Sequence, residues 1–255
     1  MLTAGRASRF LSARVLGLAA AVFLSIAIFP AQAGPPLITN DPDTPGAGAW
    51  EINVAATGAH TGGVWDIDAP DLDINRGVGD RVQLSLHLPW SHRDTGGAWM
   101  SGIGAAEFGV RWRFLDQARD GMAMAVQPMW ISSFSSAAER RGLASSHSEF
   151  VLPLQAAHTF DHWVAGMEIA RHFVTDEPDA WQAGVFAQYD CAATVQCLAE
   201  LNTTWSDGPE TIADLGARMA ISSHLNLMGS IGSQVDGPSG ERADVVFYLG
   251  AQLLY

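Results

Sequence analysis

From 243 to 255 every second residue is apolar: Val245, Phe247, Leu249, Ala251, Leu253 and Tyr255, with Asp244, Tyr248 and Gln252 between them. Alternate side chains of a strand point to opposite faces, so this period gives one apolar and one polar face and does not suit a helix. The pattern recurs. Segments of about ten to twelve residues alternate apolar and polar positions between Gly, Asp, Ser or Pro clusters. We read twelve, at 49–60, 66–77, 81–92, 102–115, 121–133, 148–159, 162–173, 180–190, 195–205, 210–221, 225–234 and 243–255. In the third, Val82, Leu84, Leu86, Leu88 and Trp90 oppose Gln83, Ser85 and His87. In the fourth, Phe108, Val110 and Trp112 oppose Glu107, Arg111 and Arg113, and in the tenth Ala213, Leu215, Ala217 and Met219 oppose Asp214 and Arg218. The second loses phase around Ala69 and Pro70, where a bulge or a late strand start would absorb the shift.

The amino end indicates the compartment. Arg6, Arg9 and Arg14 precede an apolar run at 15–29, and Ala31-Gln32-Ala33 has the small-x-small form of a cleavage site. That order reads as a secretory signal peptide over 1–33, and the run is short for a spanning helix. The rest carries 11 basic and 27 acidic side chains, a balance of −16, with no lysine. Such acidity argues against nucleic acid or anionic lipid as a partner. No later run is long and apolar enough for a transmembrane helix. Residues 34–48 contain Pro35, Pro36, Pro42 and Pro45 and are expected to form an extended Pro-rich periplasmic leader, with a plug folded into the lumen as the alternative. Residues 49–255 form one domain, an all-β, single antiparallel up-and-down transmembrane β-barrel of about twelve strands.

Loop lengths and tryptophans separate a membrane barrel from a soluble one. With a periplasmic start, the even connections (77–80, 116–120, 160–161, 190–194, 222–224) are short and the odd ones (93–101, 134–147, 235–242) longer, as outer loops are. Trp50, Trp90, Trp112, Trp130, Trp163, Trp181, Trp205 and the terminal Tyr255 fall near strand ends in phase with the apolar face, as an aromatic girdle does. The partners this implies are outer-membrane lipid, the barrel-assembly machinery acting through the last strand, and a small-molecule solute.

The polar phase assigns a lumen lining that includes Asp73, Gln83, His87, Glu107, Arg111, Arg113, Glu149, Glu168, His172, Glu200, Asp214 and Arg218. Buried charges need partners, so Arg111, Arg113 and Arg218 are expected to tie down Glu107, Asp214 and Glu168. The inward set is more acidic than basic, which predicts a preference for cations or neutral solutes over anions if a pore is open.

Other chemistry is sparse. Cys191 and Cys197 flank a turn and are candidates for a local disulfide in an oxidising compartment. Glu168 and His172 share a face but lie about 13 Å apart along a strand, too far to hold one metal ion, so neither metal nor cofactor is expected. Hydrolysis needs a serine, a histidine in reach and an orienting group. The cluster Ser145-Ser146-His147-Ser148 lies in an outer loop, no G-x-S-x-G occurs, and no enzyme activity is expected.

Residues 34–55 read GPPLITNDPDTPGAGAWEINVA, with Pro-Pro, Asp-Pro and Trp-Glu; GIGAAEFGVRWRFL lies at 102–115 and FYLGAQLLY at 247–255. These resemble the proteobacterial outer-membrane barrels related to the proteins of the meta-pathway of phenol degradation. Arg111 and Trp112 stand where that family more often has lysine and tyrosine, which keeps the charge and the aromatic. The resemblance implies transport of small, often aromatic or hydrophobic, compounds and carries no catalytic residues. The alternatives are a non-conducting structural barrel whose outer loops bind a ligand or partner, and a soluble periplasmic lipocalin-like binder.

Overall fold

A computed structural model describes residues 35–94, 96–238 and 242–255; the expected signal peptide, 1–33, lies outside the described residues. The chain forms one antiparallel sheet of β1 (Trp50–Thr61), β2 (Val64–Val78), β3 (Val82–Asp94), β4 (Trp99–Ile103), β5 (Ala106–Leu115), β6 (Ala123–Val126), β7 (Met129–Ser132) and β8 (Glu149–Phe160). It continues through β9 (Trp163–Val174), β10 (Ala180–Ala192), β11 (Val195–Trp205), β12 (Pro209–Ser222), β13 (Leu225–Asp236) and β14 (Ala243–Leu254). One-turn helices α1 (Gln117–Asp120) and α2 (Ser136–Glu139) sit in connections.

Two staves are each broken in two. β4 and β5 both pair with β3 on either side of 104–105, and β6 and β7 both pair with β5 and β8 on either side of Gln127 and Pro128. Pro128 has no N–H to give to a ladder, but its carbonyl still accepts from the Val110 amide at 3.1 Å. Counted as one stave each, these make a barrel of twelve. It closes where β1 pairs with β14, from Glu51 opposite Leu254 to Thr61 opposite Ala243. The alternation marks twelve segments and misses the two breaks.

The barrel is inverted relative to a soluble protein. Val54, Leu84, Leu86, Phe108, Leu154, Ile169, Leu201, Leu215, Ile231 and Leu249 are exposed on the outer face, whereas Asn53, Gln83, Gln155, Gln188, Asp214, Arg218 and Gln252 are buried inside. An outer surface of this kind suits hydrocarbon, and a closed ladder leaves no unpaired edge within it. The fold is a transmembrane β-barrel. Trp50, Trp90, Trp112, Trp130, Trp163, Trp181, Trp205 and Tyr255 are all exposed. Trp181 stands opposite Trp205, and Trp163 opposite Tyr189 with ring centroids 4.6 Å apart. The turns at the end bearing Trp50 and Tyr255 are short, such as 79–81, 161–162, 193–194 and 223–224; the longest connection, 133–148, lies at the other end.

β2 settles the phase problem around Pro70. Its register with β1 runs Asp66–Ala59, Asp68–Thr57, Asp71–Ala55 and Asp73–Asn53, and shifts between Asp68 and Asp71. The extra residue of a bulge restores the facing of the residues beyond it. Asp66, Asp68, Asp71 and Asp73 therefore share the inner face.

Cys191 and Cys197 form a disulfide across the β10–β11 turn. Closing so short a loop is worth about 2 kcal/mol in the chain-entropy picture, an upper figure where the hairpin already holds the two ends. Replacing both cysteines by serine is expected to lower the unfolding free energy by no more than that and to leave the barrel closed. Thiol labelling before and after reduction, alongside an unfolding titration, checks both points; loss of the folded barrel would contradict them.

Candidate functional site: the plugged lumen

Residues 35–43 lie inside the barrel, which corrects the expectation of an extended periplasmic leader over 34–48. The prolines explain why the segment adds no strand, since Pro35, Pro36, Pro42 and Pro45 offer no N–H to a ladder. Their carbonyls and the remaining amides find partners on the lumen wall instead. Backbone amides of Ile38 and Thr39 donate to the two carboxylate oxygens of Glu200 at 2.8 and 2.7 Å. Asn202 donates to Thr39 Oγ1 at 3.1 Å, Arg218 to the Pro35 carbonyl at 2.9 Å and Ser230 to the Pro36 carbonyl at 2.8 Å. Gly184 makes room for this approach: a Cβ there would fall 1.9 Å from Thr39 Oγ1.

The segment crosses the lumen. Near the opposite wall the Asp43 carbonyl accepts from Arg111 at 2.7 Å, the Asp43 carboxylate pairs with Arg113 at 2.8 Å, and Asp41 lies 3.8 Å from Arg111. Burial pushes the Asp43 carboxyl above its ordinary value, against the pull of Arg113 and Arg111. Leu37 packs with Ala157, Val164, Phe186 and Leu198, a small apolar cluster inside a mostly polar lumen. The expected ties from Arg111, Arg113 and Arg218 to Glu107, Asp214 and Glu168 are therefore corrected. Arg111 and Arg113 turn to the plug, Arg218 donates to Gln196 and Pro35, and Glu168 accepts from Gln155 at 2.8 Å. An aspartate on a short, nearby segment reaches the guanidinium groups more directly than carboxylates spread around the wall.

Beside the plug lies a cavity of about 320 Å³. Asp73, Gln83, His87, Glu107, Arg111, Glu168 and His172 line it, together with Glu51, Asp71, Ser85, Tyr248 and the plug residues Leu37, Ile38 and Asn40. Glu149 pairs with His172 just beyond, and His87 pairs with Asp71. Arg113, Glu200, Asp214 and Arg218 are not on this cavity; the first, second and fourth hold the plug. Asp214 and Pro36 border a smaller space of about 250 Å³ on the plug's other side, against β13 and β14. Asp66 and Asp68 escaped the alternation because the bulge reverses the phase; reading each side of Pro70 separately finds them, and Asp71 shares the phase of Asp73. At the wide-loop end, Arg141 donates to the Ser101 carbonyl at 2.9 Å and Arg93 to that of Gly142 at 3.3 Å, drawing the connection 133–148 toward β3 and β4. His147 directs its ring to the Thr175 carbonyl and Glu177.

No family model matches the chain, and no curated protein matches it. Solved structures do. The COG4313 outer membrane channel from Pseudomonas putida F1 superposes with a TM-score of 0.70 at 13% identity, over 88% of this chain and 100% of that one. The KdgM porin in complex with disordered oligogalacturonate gives 0.57 at 10% identity, over 80% and 98%. The NanC porin gives 0.53 at 9%, over 79% and 98%. The likeness is one of fold, and the fold is that of outer-membrane channel and porin barrels.

Proposed function

We propose that this chain is a channel of the Gram-negative outer membrane for small solutes, not an enzyme, and that residues 35–43 set the width of its path. The observation that carries the reading is a polar lumen crossed by a segment held by side-chain contacts and bordered by open space, rather than a lumen filled by its own wall. The acidic stave of β2, with Glu51 and Glu107, supports a preference for cations and neutral solutes over anions. The resemblance to the phenol meta-pathway barrels, together with the apolar surface of Leu37, Ile38, Met129, Ile131 and Val151, supports small aromatic or hydrophobic compounds as cargo.

Purified protein in planar bilayers is expected to give discrete conducting steps. Under a potassium chloride gradient, the reversal potential is expected to lie on the cation-selective side. Anion selectivity would remove the charge argument and keep the channel. Absence of any conductance, plugged or unplugged, would favour the second reading: a structural barrel whose loops bind a partner, for which the drawing of 133–148 toward β3 and β4 speaks.

A further inference from the structure

The walls of the cavity beside the plug contain buried polar atoms that are left unsatisfied. Asn53 is almost wholly buried, and its amide nitrogen donates to Glu51 at 3.3 Å and to Asp73 at 3.0 Å. Carboxylates on both of those bonds fix the amide orientation, because a flipped amide would set oxygen against oxygen. Asn53 Oδ1 is then left with no partner. Ser85, more than nine-tenths buried on β3, has a hydroxyl with no partner, and so does Tyr248. All three residues line the same cavity. An unpaired buried polar group costs on the order of 1–3 kcal/mol, so such groups collected around one space mark where something else bonds.

The register brings negative charge to the same level. Asn53 stands opposite Asp73, Asp73 opposite His87, and His87 opposite Glu107. Ser85 pairs with Asn75 one step nearer the short-turn end. Positive charge is spoken for: His87 by Asp71, and Arg111 by Gln127 and the plug. The missing partner is thus a hydrogen-bond donor with positive charge. Its remainder meets Leu37, Ile38, Met129, Ile131 and Val151, which are apolar and lie around the same cavity.

We infer that the cavity between the plug and the β1–β8 wall is a binding site for a small amphipathic organic cation, a primary ammonium on a short apolar or aromatic body. Its volume is at the lower end of the range for small-molecule sites. The ammonium faces the carboxylates of Asp73 and Glu107 and takes a third acceptor from the Asn53 or the Ser85 side, and the apolar body lies against the plug. The inference deepens the channel reading and rests on it for the solute's way in.

Binding is measured apart from transport. Detergent-solubilised protein is titrated with benzylammonium, benzyl alcohol and benzoate by calorimetry at fixed ionic strength. Benzylammonium is expected to bind at least about tenfold more tightly than either analogue, since hydrogen bonds to charged groups are the strong ones. Glu107→Gln and Asp73→Asn, which keep shape, are each expected to weaken it by about tenfold to a hundredfold. Ser85→Ala is expected to weaken it less, and gel mobility before and after heating reports whether each variant keeps its barrel. Equal affinity for benzylammonium and benzyl alcohol, absence of benzylammonium binding, or displacement by potassium as effective as by methylammonium would overturn the inference. Binding without bilayer conductance would sink the channel and keep the site; conductance without binding would do the reverse.

Discussion

In planar bilayers a chain lacking residues 35–43 is expected to carry single-channel currents several-fold larger than the intact chain, with a weaker preference for cations. Both effects come from one segment. Its bulk stands in the lumen, so removal widens the path. Its charge matters separately. Asp41 and Asp43 face Arg111 and Arg113, and deletion uncovers two guanidinium groups near the short-turn mouth. A wider path alone weakens the preference without reversing it, whereas the uncovered arginines push the reversal potential toward the anion side, so conductance and reversal potential report different things. A gentler version keeps the chain intact. Glu200 accepts two backbone amides, and each bond to a charged acceptor is worth about 1.5–3 kcal/mol. Glu200→Ala removes both, about 3 kcal/mol in all at the low end, which shifts the plug's occupancy on the order of a hundredfold. Gly184→Leu acts by crowding, since even a Cβ overlaps Thr39. The expected result is the appearance of a larger conducting state in both variants, with Asn202→Ala, which loses one bond to Thr39, between them and the unaltered chain. Identical currents in all four proteins would mean that the segment leaves the lumen by itself in a membrane or never limits the flow.

The staves were legible in the sequence because a membrane barrel makes one demand on every strand. The outer face must be apolar throughout, so the alternation at Val82–Trp90 or Val245–Leu253 needs no tertiary information to be seen. The exceptions have local causes. Phe186 and Leu198 are apolar yet point inward, because the lumen holds Leu37 and an apolar contact there is satisfied by its neighbours. Asp66 and Asp68 were hidden by one bulge, which flips the phase within a single strand. The plug was open in the sequence only as the alternative to an extended leader. Residues 35–43 have no periodicity to read, and their holding contacts are distributed over β5, β11, β12 and β13, up to 194 positions away in sequence. Prolines indicated correctly that the segment makes no ladder, but where a chain without ladder bonds goes depends on acceptors and donors elsewhere. The charge network failed for the same reason: sequence phase places Arg111, Arg113 and Arg218 on the inner wall but says nothing about a second layer inside it.

A single arginine walked along the outer face of β12 tests the inversion of the barrel itself. Leu215 is the most exposed large apolar residue of that strand, at 67%, and lies near its middle; Ile221, at 51%, lies one residue from its end. In water an exposed leucine changed to arginine has almost no effect on stability, since neither side chain is packed. In a bilayer the two positions differ sharply. Arginine at the midplane of a membrane barrel costs about 2–4 kcal/mol, and near the interface about 0–1, because there the guanidinium reaches headgroups and water. Leu215→Arg is therefore expected to lower the unfolding free energy in lipid vesicles by about 2–4 kcal/mol and Ile221→Arg by less than about 1, with Met219→Arg between. Thr194→Arg, exposed in the β10–β11 turn, is expected to change little. A graded loss that tracks position along the strand can arise only if hydrocarbon surrounds the barrel. Losses that are uniformly small would place the outer face in water and return the chain to the class of soluble barrels, whatever its lumen contains.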